Sequence, residues 1–198
     1  MSHRVKNLLA IAAALTKITS RPLSSRSSRS AGAMSQQLTQ RLMALGRAHD
    51  LVRPVPGNQG TAALLGDVFA VLLAPTTMNA RSLAGSGWLC RGMGIGEAAA
   101  TGLAMIVHEL ATNSLKYGAV SSETCPLDIS GSKDGDAMTI NWKKHGGPDV
   151  TAPPDGDGFG SRLIRQTVEA QFSGKISYNW CADGLITTLS VSVKQLST

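Results

Sequence analysis

Three polar side chains in the middle of the chain have the types and the spacing needed to bind a metal-bound phosphate. Glu109, Asn113 and Lys116 stand at positions i, i+4 and i+7 of a helix-periodic stretch, so they share one helix face. A carboxylate and an amide offer the oxygen ligands that hydrated Mg²⁺ prefers, and an ammonium offers phosphate a point charge. An exposed, salt-bridged helix face is the alternative interpretation of this spacing.

Two glycine-rich segments are suited to bring backbone N–H groups close to the same phosphates. Gly146 and Gly147 follow a predicted strand, and Gly158 and Gly160 precede a predicted helix. Glycine lets the backbone approach a ligand closely, and the N-terminus of a helix favours anions. Taken singly, each segment is also explained by an ordinary turn.

Hydrophobic periodicity predicts the helices that would position these groups. The strongest pattern covers 96–118, where Leu103, Ile106, Val107 and Leu110 lie away from the polar face. Four more helices are predicted, over 3–19, 33–52, 61–73 and 160–172, the last of them ended by Gly174. The Ser/Arg-rich residues 20–32 are expected to form a solvated loop, so that the first two helices form an antiparallel hairpin.

Alternating apolar residues predict the strands. A hairpin is expected over 125–145 with its turn at 133–136, and two strands over 175–181 and 185–193 close the chain. A weaker strand is predicted near 81–91. Helices and antiparallel strands that are segregated along the chain indicate an α+β sandwich.

Charge is unevenly distributed along the 198 residues. Residues 1–60 hold nine Lys or Arg and one acid, a net +8, whereas residues 61–198 carry a net −2. The basic segment suits an acidic partner, either nucleic acid or an acidic protein pocket, and a merely solvated face is the alternative. Because no aromatic residue interleaves these bases, the stacking platforms of a nucleic-acid-binding module are missing.

The cysteines and the hydropathy bear on the cellular compartment. Cys90, Cys125 and Cys181 are far apart and form no CxxC pair, which predicts reduced thiols in a cytoplasmic protein. No apolar run reaches the roughly 18 residues that a membrane-spanning helix needs.

Taken in order, the motifs resemble those of the HWE-type bacterial sensor histidine kinases. His3-Arg-Val-Lys-Asn7, followed by LLAIAA, looks like the phosphoacceptor box, and 41–50 is similar to the second dimerisation and phosphotransfer helix. Residues 108–118 look like the N box, and 142–148 and 158–164 look like the two glycine boxes.

The resemblance implies two domains. A helical hairpin for dimerisation and histidine phosphotransfer is expected over 1–58, followed by a Bergerat (GHKL) α/β sandwich that binds ATP over 59–198. A homodimer is expected, although packing of the hairpin against the ATP domain would satisfy a monomer. Because kinase chains have sensory input upstream, we expect a fragment of a longer protein, the alternative being a short stand-alone protein.

The resemblance also implies a phosphotransfer activity. His3 would take the γ-phosphoryl group of ATP and pass it to an aspartate of a response regulator receiver domain, whose acidic pocket would suit the basic segment. Arg4 stands where many histidine kinases have an acid and would contact the transferring phosphate. The implied catalytic residues are His3, Arg4 and Asn7; the implied Mg²⁺ ligands are Glu109 and Asn113; the implied ATP-binding residues are His108, Glu109, Asn113, Lys116, Tyr117, Gly146, Gly147, Gly158 and Gly160.

One position departs from the family pattern. The HWE branch has a Trp-x-Glu element, whereas here Trp142 is followed by Lys143 and Lys144. Lys144 stands where the family's acid accepts a hydrogen bond from the adenine amino group, and an ammonium has no acceptor lone pair. We therefore expect weaker ATP binding, or a substitute acceptor such as Asp149 or Asp155. The alternative function is a degenerate phosphotransferase or response-regulator-binding protein that does not use ATP.

Overall fold

The computed structural model describes residues 31–52, 63–74, 92–116, 127–145, 158–181 and 184–197. The chain divides into two compact units, Met1–Gly46 and Arg47–Thr198. The helix predicted over 3–19 and the strand predicted near 81–91 lie outside the described residues. The domain boundary between residues 58 and 59 stays a prediction.

Four of the five predicted helices fall within the described part of the chain. The helices are α1 (Ala31–Val52), α2 (Leu65–Leu73), α3 (Glu97–Lys116), α4 (Phe159–Phe172) and the short α5 (Val193–Leu196). The helix predicted over 61–73 begins too early, because Ala63 and Leu64 pair with Ile95 and Gly94 as strands. These strands are β1 (Ala63–Leu64) and β2 (Gly94–Ile95), and their pairing across the chain overrides the local helical pattern.

Four strands form an antiparallel sheet in the order β3-β4-β6-β5. They are β3 (Leu127–Asp134), β4 (Ala137–His145), β5 (Lys175–Cys181) and β6 (Gly184–Ser192). The predicted hairpin and closing strands are thereby confirmed, except that Val193 begins α5. Its N–H donates to the Asp136 carbonyl at 2.8 Å, and the Lys194 N–H donates to Asp136 Oδ1 at 3.2 Å, which turns the chain out of the sheet.

One face of the sheet is covered by helices. In β4, Met138, Ile140 and Trp142 are buried and alternate with half-buried residues, as the two-residue period of a strand requires. The Trp142 indole reaches α3, so the buried face is the face that the helix covers. The antiparallel sheet with helices on one face confirms the predicted α+β sandwich.

Helices α3 and α4 pack closely because residue 102 has no side chain. A Cβ added at Gly102 would lie 2.8 Å from the Phe172 ring and would also meet the Gln171 side chain, which donates a hydrogen bond to the Ala98 carbonyl. Phe172 is fully buried and is the last residue of α4. Helix α4 ends at Phe172, as predicted, and its cap residue Ser173 has a left-handed backbone at φ 48°, while the Gly174 N–H donates to the Val168 carbonyl at 2.9 Å.

No helix within the described ranges is long and apolar enough to cross a bilayer.

The packing at Gly102 predicts the sign of a stability change. Gly102→Ala is expected to lower the free energy of unfolding by about 1–3 kcal/mol, because the added methyl overlaps a buried ring. Gly46→Ala is the matched control in α1, where an added Cβ meets nothing within 4 Å. It is expected to raise stability by about 0.5–1 kcal/mol through helix propensity. Urea unfolding followed by circular dichroism measures both, and a shift of the same sign in the two variants contradicts the packing argument.

Candidate functional site

Glu109 and Asn113 lie one turn apart on α3, on the polar face that the sequence pattern predicted. Glu109 is only 4% exposed, and Asn113 is half-buried. A buried carboxylate is costly unless it is satisfied, and Glu109 does have an interaction within the protein. The alternative of an exposed, salt-bridged face is therefore wrong for Glu109.

Gly160, in the first turn of α4, faces both of these side chains. A Cβ added at Gly160 would lie 2.6 Å from Glu109 Oε2 and 3.6 Å from Asn113 Nδ2. No real Cβ contact is as short as the first of these distances, so a side chain at residue 160 would displace the carboxylate. The structure thus brings the predicted N box and the second predicted glycine box together at one point.

The start of α4 carries the positive end of the helix dipole. Gly158 is the N-cap residue, has an extended backbone (φ −61°, ψ 163°) and makes no side-chain capping bond. The first turn of α4 contains no acidic residue. Because the first N–H groups of a helix lack partners within it, such a terminus favours a negatively charged group. The Glu109 carboxylate and the α4 N-terminus therefore form one polar corner.

A buried hydrogen bond fixes α3 against the sheet beside this corner. Trp142 Nε1, on β4, donates to Ser114 Oγ at 3.2 Å, and both residues are buried. Ser114 is the residue after Asn113, so the bond fixes the end of α3 that carries the site. The sequence pattern did not predict this bond; the need of a buried indole N–H for an acceptor is the signal that would have suggested it.

Lys144 lies on the same buried face of β4, two residues after Trp142. Its side chain is only 8% exposed, and its strand partners are Leu127 of β3 and Leu185 of β6. Lys144 has an interaction within the protein. The residue that departs from the family pattern is therefore a buried lysine and not a surface lysine.

Of the other predicted site residues, the structure describes three. His108 is half-buried in α3, Lys116 is the last residue of that helix, and Gly158 is exposed at the start of α4. Outside the described residues lie His3, Arg4, Asn7, Tyr117, Gly146, Gly147, Asp149 and Asp155.

The donor set at the polar corner suits Mg²⁺. Mg²⁺ is usually held by one or two protein oxygens together with waters and substrate phosphates. Glu109 and Asn113 supply a carboxylate and an amide oxygen, and both side chains lie beside Gly160. In the described part of the chain no three His, Cys, Asp or Glu residues gather into a metal-ligand cluster.

Comparison with known proteins gives a family for part of the chain and a fold for nearly all of it. Residues 1–87 match the family described as HWE histidine kinase. The blue-light-activated histidine kinase 1 of Erythrobacter litoralis is 29% identical over 197 residues, which are 98% of this chain and 52% of that protein. The chain thus spans about half the length of this relative.

Two solved structures show the fold. The histidine kinase domain of the Erythrobacter litoralis EL346 blue-light activated kinase superposes with a TM-score of 0.61 at 17% identity, covering 98% of this chain and 96% of that one. The Acinetobacter baumannii histidine kinase AdeS gives a TM-score of 0.52 at 13% identity and covers 98% of each chain. The resemblance inferred from the motifs is confirmed: residues 1–87 match the HWE histidine kinases, and the fold is that of histidine kinase domains with a GHKL-type catalytic part.

Proposed function

We propose that the chain is the kinase core of a sensor histidine kinase, which phosphorylates itself on His3 from ATP and passes the phosphoryl group to an aspartate of a response regulator. The observation that carries the proposal is the approach of Gly160 to Glu109 and Asn113. It joins two motifs that are distant in sequence into one corner with ligands for a metal-bound phosphate. The match of 1–87 to the HWE histidine kinases supports the same function.

In this proposal the polar corner holds the nucleotide phosphates. Glu109 and Asn113 are the protein ligands of Mg²⁺, which when bound neutralises phosphate charge. The first N–H groups of α4, from Gly158 onward, face the phosphate oxygens, as helix N-termini do in other anion sites. His108, Lys116, Tyr117, Gly146 and Gly147 complete the ATP-binding residues by resemblance.

The transfer step needs a neutral imidazole in line with the leaving group. The His3 ring nitrogen attacks the γ-phosphorus, the new N–P bond forms as the bond to the bridging oxygen breaks, and ADP leaves with the electron pair. Positioning and charge stabilisation do most of the work in phosphoryl transfer. Arg4 and Asn7 follow His3 closely enough in sequence to contact the transferring group, and Arg4 supplies positive charge.

The partners follow from charge and from the family. The +8 of residues 1–60 suits the acidic phosphorylation pocket of a receiver domain. We further propose that the core acts as a homodimer in the cytoplasm.

A second candidate is a relay that exchanges phosphoryl groups with a response regulator without using ATP. The buried Lys144 favours it, because an ammonium cannot accept the hydrogen bond that the adenine amino group donates.

Labelling tests the proposed reaction. Incubation with γ-labelled ATP and Mg²⁺ is expected to give protein-bound label that is lost in acid, because a phosphoramidate is acid-labile. His3→Ala should abolish the label, whereas His49→Ala, which removes another histidine from the front of the chain, should retain it. Label that is acid-stable or independent of His3 contradicts the proposal, and label obtained only from a phosphorylated receiver domain supports the relay.

The polar corner predicts a matched pair of glycine variants. Gly160→Ala is expected to weaken Mg²⁺-nucleotide binding roughly tenfold to a hundredfold, because displacing the Glu109 carboxylate leaves buried polar groups poorly paired. Gly158→Ala, where an added Cβ meets nothing within 4 Å, should cause a smaller loss.

Calorimetric titration measures the nucleotide affinity of both variants, and thermal denaturation measures their stability. A Gly160→Ala protein that is less stable but keeps its affinity would show that Glu109 only supports the start of α4.

A further inference from the structure

The two proposed Mg²⁺ ligands differ in how firmly α3 holds them. Glu109 is buried and has an interaction within the protein, whereas Asn113 is half-buried and lies in the last turn of the helix, which ends at Lys116. The final turn of a helix is held by fewer backbone hydrogen bonds than its middle, so helix ends fray. Asn113 is therefore the ligand whose position needs support from outside the helix.

The bond from Trp142 to Ser114 supplies this support from inside the sheet. Trp142 belongs to β4, where its strand partners are Ile129 of β3 and Thr187 of β6, so its backbone is paired on both sides. Its indole Nε1 donates to Ser114 Oγ at 3.2 Å. Trp142 is 2% exposed and Ser114 is 6% exposed, so water does not readily replace either partner.

The same bond sets the direction in which Asn113 points. Successive residues of an α-helix point about 100° apart, so a Ser114 that faces the sheet fixes the neighbouring side chain as well. Asn113 Nδ2 accordingly lies 3.6 Å from the position of an added Cβ at Gly160. A helix with its side chains has a radius of about 5–6 Å, so rotating this turn by about 20° would move the amide by roughly 2 Å.

We propose that Ser114 and Trp142 are positioning residues for the metal: their bond holds Asn113 in the direction that a Mg²⁺ ligand needs. This inference rests on the proposed nucleotide-binding function and adds the source of its metal-ligand geometry. Mg²⁺ demands near-octahedral ligands at about 2.0–2.1 Å, so a displacement of roughly 2 Å removes a ligand. Nucleotide binding that depends on Mg²⁺ therefore depends on the bond, and binding without Mg²⁺ does not.

Removal of either partner tests this role. The full chain is titrated with ATP by calorimetry at a series of Mg²⁺ concentrations and also without Mg²⁺. Ser114→Ala and Trp142→Phe are each expected to raise the Mg²⁺ concentration for half-maximal binding roughly tenfold to a hundredfold, as loss of a group that orients a metal ligand does elsewhere. The affinity for ATP without Mg²⁺ should stay that of the parent protein.

Thr188→Val is the matched control. Thr188 Oγ1, on β6, donates to Asn141 Oδ1 at 2.9 Å, so this variant also removes a side-chain bond to β4. Asn141 precedes Trp142, and neighbouring residues of a strand point to opposite faces, so the control bond lies on the face away from α3. Thr188→Val is expected to lower the thermal stability and to keep the Mg²⁺ dependence of the parent protein. A control that shifts this dependence as strongly as Ser114→Ala overturns the proposal.

A double variant separates the bond from a general loss of packing. The bond can be broken only once, so Ser114→Ala combined with Trp142→Phe should lose no more Mg²⁺ affinity than either single variant. Losses that simply add overturn the proposal. Thermal denaturation checks that each variant is folded, and Ser114→Ala, which removes one oxygen atom, gives the test alone if Trp142→Phe does not fold.

The outcomes distinguish the two proposals. A Ser114→Ala protein that is less stable but keeps the Mg²⁺ dependence of the parent protein shows that the bond is only structural, which overturns the positioning role and leaves the proposed function standing. A parent protein that binds no ATP, with or without Mg²⁺, overturns the proposed function and the positioning role with it.

Discussion

The close approach between the first turn of α4 and the polar face of α3 is the constraint on which the rest of the site depends. The Glu109 carboxylate lies where a side chain of residue 160 would begin, so glycine at this position lets the carboxylate keep its place beside the start of α4. A second glycine, Gly102, lies near the N-terminal end of α3 and allows the same two helices to pack closely there. Because the helix dipole favours negative charge at the start of α4, the same corner suits an anionic group.

The sheet completes this arrangement. The bond from Trp142 to Ser114 joins β4 to the end of α3 that carries Asn113, so helix and sheet are held at the site by a buried polar contact. Such a contact is effective because a buried donor without an acceptor is costly. The same face of β4 also carries the buried Lys144.

The sequence predicted the elements better than it predicted their contacts. The periodic patterns of α3 and the β3–β4 hairpin are long enough to predict these elements from neighbouring residues alone, and the structure contains both. The two-residue strands β1 and β2 were not, because their only support is pairing between residues 63–64 and 94–95. Spacing showed that Glu109 and Asn113 share a face, but it could not show that α4 covers that face, which depends on the distant Gly160.

Nuclear magnetic resonance of individual groups at the polar corner tests whether this corner holds the nucleotide phosphates. The Gly160 backbone amide and the Asn113 side-chain amide are observed while a purine nucleoside triphosphate is added with and without Mg²⁺. If the polar corner holds the nucleotide phosphates, both signals shift together, saturate together and respond to Mg²⁺. Nucleotide binding that shifts other signals and leaves these two unmoved would contradict it.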